Sequence, residues 1–345
     1  MEFFVNSGRG SYTVQILRES HAALAGVGGR RAVFVASAST AARAELLART
    51  LPGSVVLAPM PDGESAKTLG NVEELLAAFA AEHVAPSDVV VAVGGGALTD
   101  LVGFVSAVWR RGVPWIVVPT TVACAVDAGI GGKTAVNTAA GKNTAGALWN
   151  PDGVVVHCEV FDSLSPALIS DGVAEIVKVG CSHTPKLLDV VLSGPGPFPG
   201  EWLNTAVELS ASVACDVASG HFGPGANRDV LSLGHEVAHA LETLSNFSVP
   251  HGAAVAVGLR FVHQLAPADT YLVAPSHLDA VLKHCRLPLT AAEAGIDVCW
   301  ADVRAELAHD KRMAGTLRFL FPGTDGVVWT DALPESDVAK VWESL

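Results

Sequence analysis

The chain has 345 residues, more than one hydrophobic core usually serves, which predicts two domains, drawn here at 1–160 and 161–345. Half of the residues are apolar and 17% are charged, which excludes a disordered chain. With 22 Lys and Arg against 35 Asp and Glu, the formal charge of -13 argues against nucleic acid or an anionic membrane surface as partner, so a bound phosphate must be met by local cations. Six cysteines form no CxxC pair, and MEFFVNSGRG lacks the basic-then-apolar layout of a signal peptide, so a cytoplasmic protein with reduced thiols is expected. Charges, Gly or Pro interrupt every apolar run before it reaches the length of a membrane span.

Residues 31–37 (RAVFVAS) and 88–93 (DVVVAV) are short β-branched runs, and 66–83 carries apolar residues at helical spacing between them. A helix-compatible stretch (98–109) then leads into PWIVVP (114–119), and GVVVH (153–157) follows. This alternation predicts a parallel sheet covered by helices, an α/β domain; one large α/β domain for the whole chain is the alternative. In VVVAVGGGALTD, Gly94, Gly95 and Gly96 sit between strand and helix, where missing side chains let a pyrophosphate approach backbone N–H groups. The run is not GxGxxG, and glycines at such turns also serve close packing alone. Asp100 either supports a dinucleotide or merely occupies the first helical turn. RAVFVASAST shows only small and hydroxyl residues where a ribose-binding acid is usual.

The segment GIGGKTAVNTAAGKN (129–143) reads as a loop. Lys133, Lys142 and Asn143 lie among glycines that let the backbone curl around an anion, with phosphate the natural guest. Arg111, in WRRG, adds a donor that acts within the chain or across a subunit boundary. Solvated surface charges are the alternative reading for the whole group.

Beyond about residue 160 helix-compatible segments dominate (163–193, 202–218, 229–245, 252–266, 275–284, 296–309), predicting a mostly helical second domain. Glu175 and Lys178 are three apart on one helix face, which a plain helical salt bridge explains as well as a functional role. His235 and His239 are four apart, and His251 opens the next helix. Glu, His and His from three helical segments can close around a divalent metal with one position open, as a catalytic zinc requires. Lys311 and Arg312, behind Asp310, are a further anion contact or a charged loop, and Arg228 stands equally open.

Taken in order, DGESAKT (62–68), GGGALTDLVGF (94–104), RRGVPWIVVPTT (110–121), VDAGIGGKTAVN and GKN (126–143), GVAEIVK (172–178), LGHEVAHALE (233–242), HG (251–252) and DKR (310–312) make the chain resemble the 3-dehydroquinate synthases and the wider sugar phosphate cyclase family over nearly its whole length. The resemblance implies a Rossmann-like NAD-binding domain, a helical metal domain, and a site in the cleft between them. It implies Glu175, His235 and His251 as ligands of zinc or cobalt, and Asp127, Lys133, Lys178, His239 and Arg228 around the substrate. Asn143, Lys311, Arg312 and a neighbouring subunit's Arg111 fall near the phosphate, which makes a homodimer the expected assembly. Glu64, Lys67, Gly94, Gly95, Gly96, Asp100, Thr120, Thr121 and Lys142 fall on the NAD side.

The implied reaction is that of a lyase acting on a sugar phosphate: transient oxidation by NAD, β-elimination of phosphate acting as its own base, reduction, and aldol closure to a carbocycle. Three features depart from authentic dehydroquinate synthases. SVACDVASGHF lacks their lysine, Ser232 takes an Asn position, and GHFGPGAN replaces an acidic run, although Arg228 is kept. The expectation is therefore a specialised cyclase of secondary metabolism, of the aminodehydroquinate, valiolone-forming or, last, deoxy-scyllo-inosose type. Outside the cyclases, the alternatives are a metal-dependent alcohol or glycerol dehydrogenase and a non-catalytic ligand-binding paralogue.

Overall fold

The computed structural model describes the chain except residues 19–23, 25–26, 140, 221–230, 268–269, 271, 309–315 and 324–325. Two compact units emerge, Met1–Leu164 with Ala214–His221, and Ser165–Val213 with Phe222–Leu345.

The first unit is built on strands β1 (Glu2–Ser7), β2 (Gly10–Leu17) and β3 (Ala32–Ala36), helix α1 (Ala41–Ala48), strand β4 (Val55–Val56) and helix α2 (Leu69–Ala81). Then come β5 (Val89–Gly94), α3 (Gly96–Val108), β6 (Trp115–Pro119), β7 (Lys133–Thr138), β8 (Gly141–Leu148) and β9 (Gly153–His157). Seven strands form one sheet in the order β1-β2-β9-β6-β5-β3-β4, with every pair parallel except β1 with β2. The continuous apolar runs seen in the sequence belong to its interior: β3, β5, β6 and β9 are buried at every position, as strands covered on both faces must be. Phe34, Val91, Val93, Ile116, Val118 and Val155 form one core cluster with Ala44 of α1.

Two features were not foreseen. The edge pair β1–β2 is not among the expected elements, although Tyr12, Val14 and Ile16 of β2 alternate with Ser11, Thr13 and Gln15 as in a half-buried strand. The anion loop at 129–143 is largely a β-hairpin, β7 pairing antiparallel with β8 through Lys133↔Leu148 to Thr138↔Gly141. Its strands are short of large apolar residues and rich in Gly, Ala, Thr and Asn, so composition marked a loop where cross-strand pairing makes a ribbon.

The second unit contains α4 (Pro166–Ser182), α5 (Lys186–Leu192), the first residues of α6 (Glu201–Ala218), α7 (His235–Leu244), α8 (His251–Leu265), α9 (Pro275–His284), α10 (Trp300–Leu307), β10 (Leu320–Gly323), β11 (Gly326–Trp329) and α11 (Glu335–Ser344). The segment expected as one helix at 163–193 is two, because Pro185 cannot continue the hydrogen-bond ladder. Ser165 caps α4 by accepting from Leu168 N, with Pro166 at the first helical position. The helix expected from 229 is described from His235, preceded by Gly234 at φ 74°. The one expected over 296–309 spans Trp300–Leu307.

Helix α8 is central: Ala254, Val255, Val257, Leu259, Phe261 and Val262 are all buried, and it packs on α4, α7, α9 and α11. Phe261 meets Trp300, Phe319 and Trp342 in an aromatic cluster, and its full burial contributes about 2 kcal/mol. Two glycines let backbones touch. A Cβ on Gly252 would lie 2.2 Å from Asp171 O of α4, and one on Gly258 would lie 2.1 Å from Gly234 O at the start of α7. Among the described residues no helix is long and apolar enough to cross a membrane.

Candidate functional site

In the first unit the strand order reverses between β3 and β5, since the chain passes outward from β3 to β4 and then inward from β5 to β6. Open parallel sheets bind ligands at the carboxyl ends of the strands flanking such a reversal. Those ends are Ser37–Thr40 and Gly94–Gly96. Thr40 Oγ1 donates to Val93 O at 2.7 Å and Thr120 N to Gly94 O at 3.0 Å, so the glycine turn is tied to both neighbouring strand ends. A Cβ on Gly95 would come within 3.1 Å of Thr121 Cγ2, and one on Gly96 within 3.0 Å of Ala128 Cβ. The glycines therefore serve packing as well as access, and α3 starts with its free N–H groups at the crevice.

A carboxylate reaches the end of β3 from a different loop. Met60 bridges to Ser37 in parallel, which carries Asp62 to the end of β3, where its Oδ1 accepts from Ser39 N at 3.2 Å and Ser39 Oγ at 2.6 Å. Hydrogen bonding by Ser39 and Ser37 lowers its pKa, so it is an anion at neutral pH. Asp62 opens the DGESAKT motif, and only the strand pairing shows which strand end it reaches.

The same loop supplies Lys67, buried to 3% exposure, whose Nζ lies 2.6 Å from Asp100 Oδ2, 2.5 Å from Asn143 Oδ1 and 3.8 Å from Glu64 Oε1. Asn137 Nδ2 donates to Glu64 Oε1 at 2.7 Å, and Asn143 N donates to Asn137 Oδ1 at 2.9 Å. One network thus joins residues expected separately at the cofactor (Glu64, Lys67, Asp100) and at the phosphate (Asn143). Burial raises the Asp100 pKa to about 6 even with Lys67 opposing it, so a change in ligand charge nearby can move its proton. Asp100, Lys133, Thr134, Asn143 and Gly146 line a cavity of about 380 Å³ beside the hairpin. Asp127 lies in a single π-helical turn, Cys124–Ala128, closed by Gly129 N donating to Cys124 O at 2.8 Å, a distortion frequent at functional sites. Lys142 is close enough for its charge to act on Asp100.

Arg111 does not join this group. It is exposed, at φ 71°, just past the far end of α3 from Gly96, and thirteen helical residues span about 20 Å.

In the second unit three side chains converge. Glu175 of α4, His235 at the first position of α7 and His251 at the first position of α8 bring one carboxylate oxygen and two ring nitrogens within 4.8 Å of one another. Nε2 of His251 is 2.8 Å from Glu175 Oε1, and Nε2 of His235 is 3.4 Å from the same oxygen. Each ring is held from behind: His235 Nδ1 lies 3.3 Å from Leu233 O, and His251 Nδ1 lies 3.0 Å from Glu242 Oε1. An Nδ1–H donated to an oxygen leaves the Nε2 lone pair for a cation, so the set fits a divalent metal of the zinc type. Glu175 turns its other oxygen to Lys178 Nζ at 2.5 Å, and both are buried.

Burial alone would raise the Glu175 pKa, yet Lys178 and the histidines hold it well below the usual range. For His251, burial would lower the pKa, but hydrogen bonds and charge from Glu175 and Glu242 outweigh it and raise the value to about 10. Metal binding here must therefore displace a proton.

The two close backbone contacts explain the convergence. Gly258 against Gly234 sets the start of α7, and Gly252 against Asp171, whose Oδ1 accepts from Gly252 N at 2.5 Å, sets the start of α8 on the helix that carries Glu175. His239 stacks edge-on to His235 with ring centroids 5.5 Å apart, one turn further along α7. Glu242 follows at the next turn of the same face, and the 235, 239, 242 spacing in HEVAHALE is the sequence signal for it. Arg228, Lys311 and Arg312 lie outside the described residues.

Comparison with known proteins adds the family. The family model of the 3-dehydroquinate synthase N-terminal part matches residues 57–171, and that of the C-terminal part matches residues 172–313. The 3-dehydroquinate synthase of Thermobifida fusca is 37% identical over 283 residues, 79% of this chain and 74% of that protein. The one from Streptomyces avermitilis is 38% identical over 274 residues, 75% of this chain and 74% of that protein. Among solved structures, ValA, a 2-epi-5-epi-valiolone synthase from Streptomyces hygroscopicus subsp. jinggangensis 5008 with NAD+ and Zn2+ bound, superposes with a TM-score of 0.84 at 24% identity over 96% of both chains. A 2-deoxy-scyllo-inosose synthase complexed with carbaglucose-6-phosphate, NAD+ and Co2+ gives 0.83 at 19% identity over 100% of both. At those identities the structures attest the fold. With both family models matched in order and relatives more than a third identical over three quarters of its length, the chain belongs to the 3-dehydroquinate synthase family.

Proposed function

We propose that the chain is an NAD- and metal-dependent sugar phosphate cyclase, a carbon–oxygen lyase that eliminates phosphate and closes a carbocycle. The observation that carries this reading is the Glu175, His235 and His251 set, whose two imidazoles are each anchored through Nδ1 so that both Nε2 atoms face one carboxylate oxygen. Family membership supplies the reaction class, and the relatives' 3-dehydroquinate synthase activity is its nearest form. When bound, NAD would take up and return a hydride, and zinc or cobalt would polarise a substrate hydroxyl.

The chain's own residues divide the remaining work. The glycine turn at 94–96 and the Thr120–Thr121 pair receive the dinucleotide diphosphate at the start of α3, and Asp62 offers the ribose an acceptor at the end of β3. Lys67 fixes Asp100 and Asn143 relative to each other, and Lys133 and Lys142 supply positive charge along the hairpin for a phosphate. Lys178 holds Glu175 and keeps it ionised. Asp127 and His239 are assigned to substrate hydroxyls, and Arg228, Lys311 and Arg312 to the substrate's anionic groups. Arg111, exposed just past the end of α3, is assigned to a phosphate in the site of a second copy, and this assignment favours a homodimer as the working form.

The missing lysine in SVACDVASGHF and Ser232 in the Asn position favour a specialised substrate, within secondary metabolism, over the housekeeping heptulosonate phosphate, and the six free cysteines favour the cytoplasm. Incubation with heptulosonate, aminoheptulosonate and heptulose phosphates in the presence of NAD and zinc or cobalt tests the reading. Phosphate is expected to appear with no net NADH, together with a product lighter by one phosphoric acid. Accumulation of NADH without phosphate would establish a dehydrogenase instead, and ligand binding without any turnover a non-catalytic paralogue.

A further inference from the structure

We infer that Glu242, a residue outside the three-ligand set, is the positioning carboxylate of the metal centre: it holds His251 by Nδ1 and so fixes which nitrogen, in which direction, meets the cation. The inference rests on the metal reading given above and deepens it. His251 is threaded between two carboxylates, with Glu242 Oε1 3.0 Å from Nδ1 and Glu175 Oε1 2.8 Å from Nε2. A ring gripped at both nitrogens has no freedom to flip, so only Nε2 is presented toward Glu175. Glu242 is itself 3% exposed and sits on α7, the helix that begins with His235, two turns downstream on the same face. One short helix therefore carries a ligand and the support of another ligand, coupling the two imidazoles mechanically.

Charge gives Glu242 a second role. Glu175 shares its negative charge with Lys178 at 2.5 Å, so the carboxylate that touches the cation is already largely compensated. A divalent ion in a buried site needs more negative charge than that. Glu242 supplies it through the imidazole, since a carboxylate accepting from Nδ1–H makes Nε2 a stronger donor. The main chain is held separately, because Asp171 Oδ1 accepts from Gly252 N, so removing Glu242 would release the ring without unseating the helix start.

The test compares Glu242→Gln, whose amide oxygen still accepts from Nδ1–H but carries no charge, with Glu242→Leu, which removes both, using His251→Ala as reference. Zinc affinity is read by competition with a chromophoric chelator, and cobalt(II) is substituted to record the visible absorption of the bound ion. Zinc affinity is expected to fall about 10- to 100-fold in Glu242→Leu and by less in Glu242→Gln, with an altered cobalt spectrum in both. Where turnover is measured, kcat should fall while KM for NAD stays put. Folded Glu242→Gln and Glu242→Leu proteins that keep wild-type zinc affinity and cobalt spectrum, while His251→Ala loses the ion, would overturn the inference and leave the three-ligand site standing. Should Glu242→Leu not fold, Glu242→Gln decides alone: an unchanged spectrum refutes and a shifted one supports. A wild-type chain that binds zinc with no loss in His251→Ala would overturn the site and the inference together.

Discussion

Substituting Gly258 by Ala tests how the metal centre is assembled without touching any ligand. A Cβ at this position would lie 2.1 Å from Gly234 O and 3.0 Å from Gly234 C, where real Cβ atoms do not come closer than 3.0 Å. The obstacle is backbone and cannot rotate away, so α7 and α8 must separate by about 1 Å at this point. Gly234 O is also the acceptor for Ala238 N at 3.1 Å, the first bond of α7, and His235 is the next residue. Overpacking of this kind costs about 3 kcal/mol, against which the better helix propensity of Ala returns about 1 kcal/mol. The net loss of about 2 kcal/mol should lower Tm by roughly 4–8 °C for a unit of this size.

Metal sites tolerate ligand displacements of only about 0.2 Å, so a shift several times larger at His235 should weaken zinc binding at least tenfold even in protein that remains folded. Differential scanning calorimetry and chelator competition, run beside Gly70→Ala, give the measurement. Gly70 is the control because its Cβ would meet nothing nearer than Thr68 Oγ1 at 3.8 Å, and that variant should be neutral or stabilised by up to about 1 kcal/mol. A Gly258→Ala protein with wild-type Tm and zinc affinity would refute the claim that this contact sets the ligand geometry.

Glu175→Ala and His251→Ala are each expected to lose stoichiometric zinc by equilibrium dialysis, and unchanged metal content in both would refute the ligand assignment. Lys67→Met strips Asp100 of the cation 2.6 Å away, which should push the Asp100 pKa further above 6 and weaken NAD binding about tenfold or more by calorimetric titration. Adding Asp100→Asn should restore stability but not NAD affinity; unaltered affinity in Lys67→Met would remove the network from the cofactor site. Acid stability should report His263, which is fully buried with Nδ1 donating to Leu259 O at 2.8 Å and whose pKa burial lowers from 6.5 to about 4. Because the unfolded chain takes up this proton first, the stabilisation is complete above about pH 6.5 and is lost as pH falls toward 4, by roughly 3 kcal/mol in all. His263→Gln should flatten that part of the Tm profile, and an identical profile would refute the assignment.

Much of the molecule was legible from the chain alone, and for definite reasons. Strands β3, β5, β6 and β9 are buried on both faces, so their apolar runs are uninterrupted and identify a parallel sheet. The i, i+4 spacing of His235 and His239 places them on one face whatever the tertiary context, and the ordered motifs carried the family.

Other features depended on pairings distant in sequence. The β7–β8 hairpin reads as a loop in the sequence because residues that pair across a ribbon need not be apolar, and only the partner strand defines them. Asp62 reaches the end of β3 because Met60 pairs with Ser37, and Lys67 joins Asp100 and Asn143 across 33 and 76 residues of chain, separations at which no local periodicity operates. The role of Glu242 likewise depends on where the next helix starts, and that is fixed by glycines whose value lies in the backbone they admit. Residue type and spacing therefore set which chemistry the chain could carry, while close backbone contact decided which atoms meet.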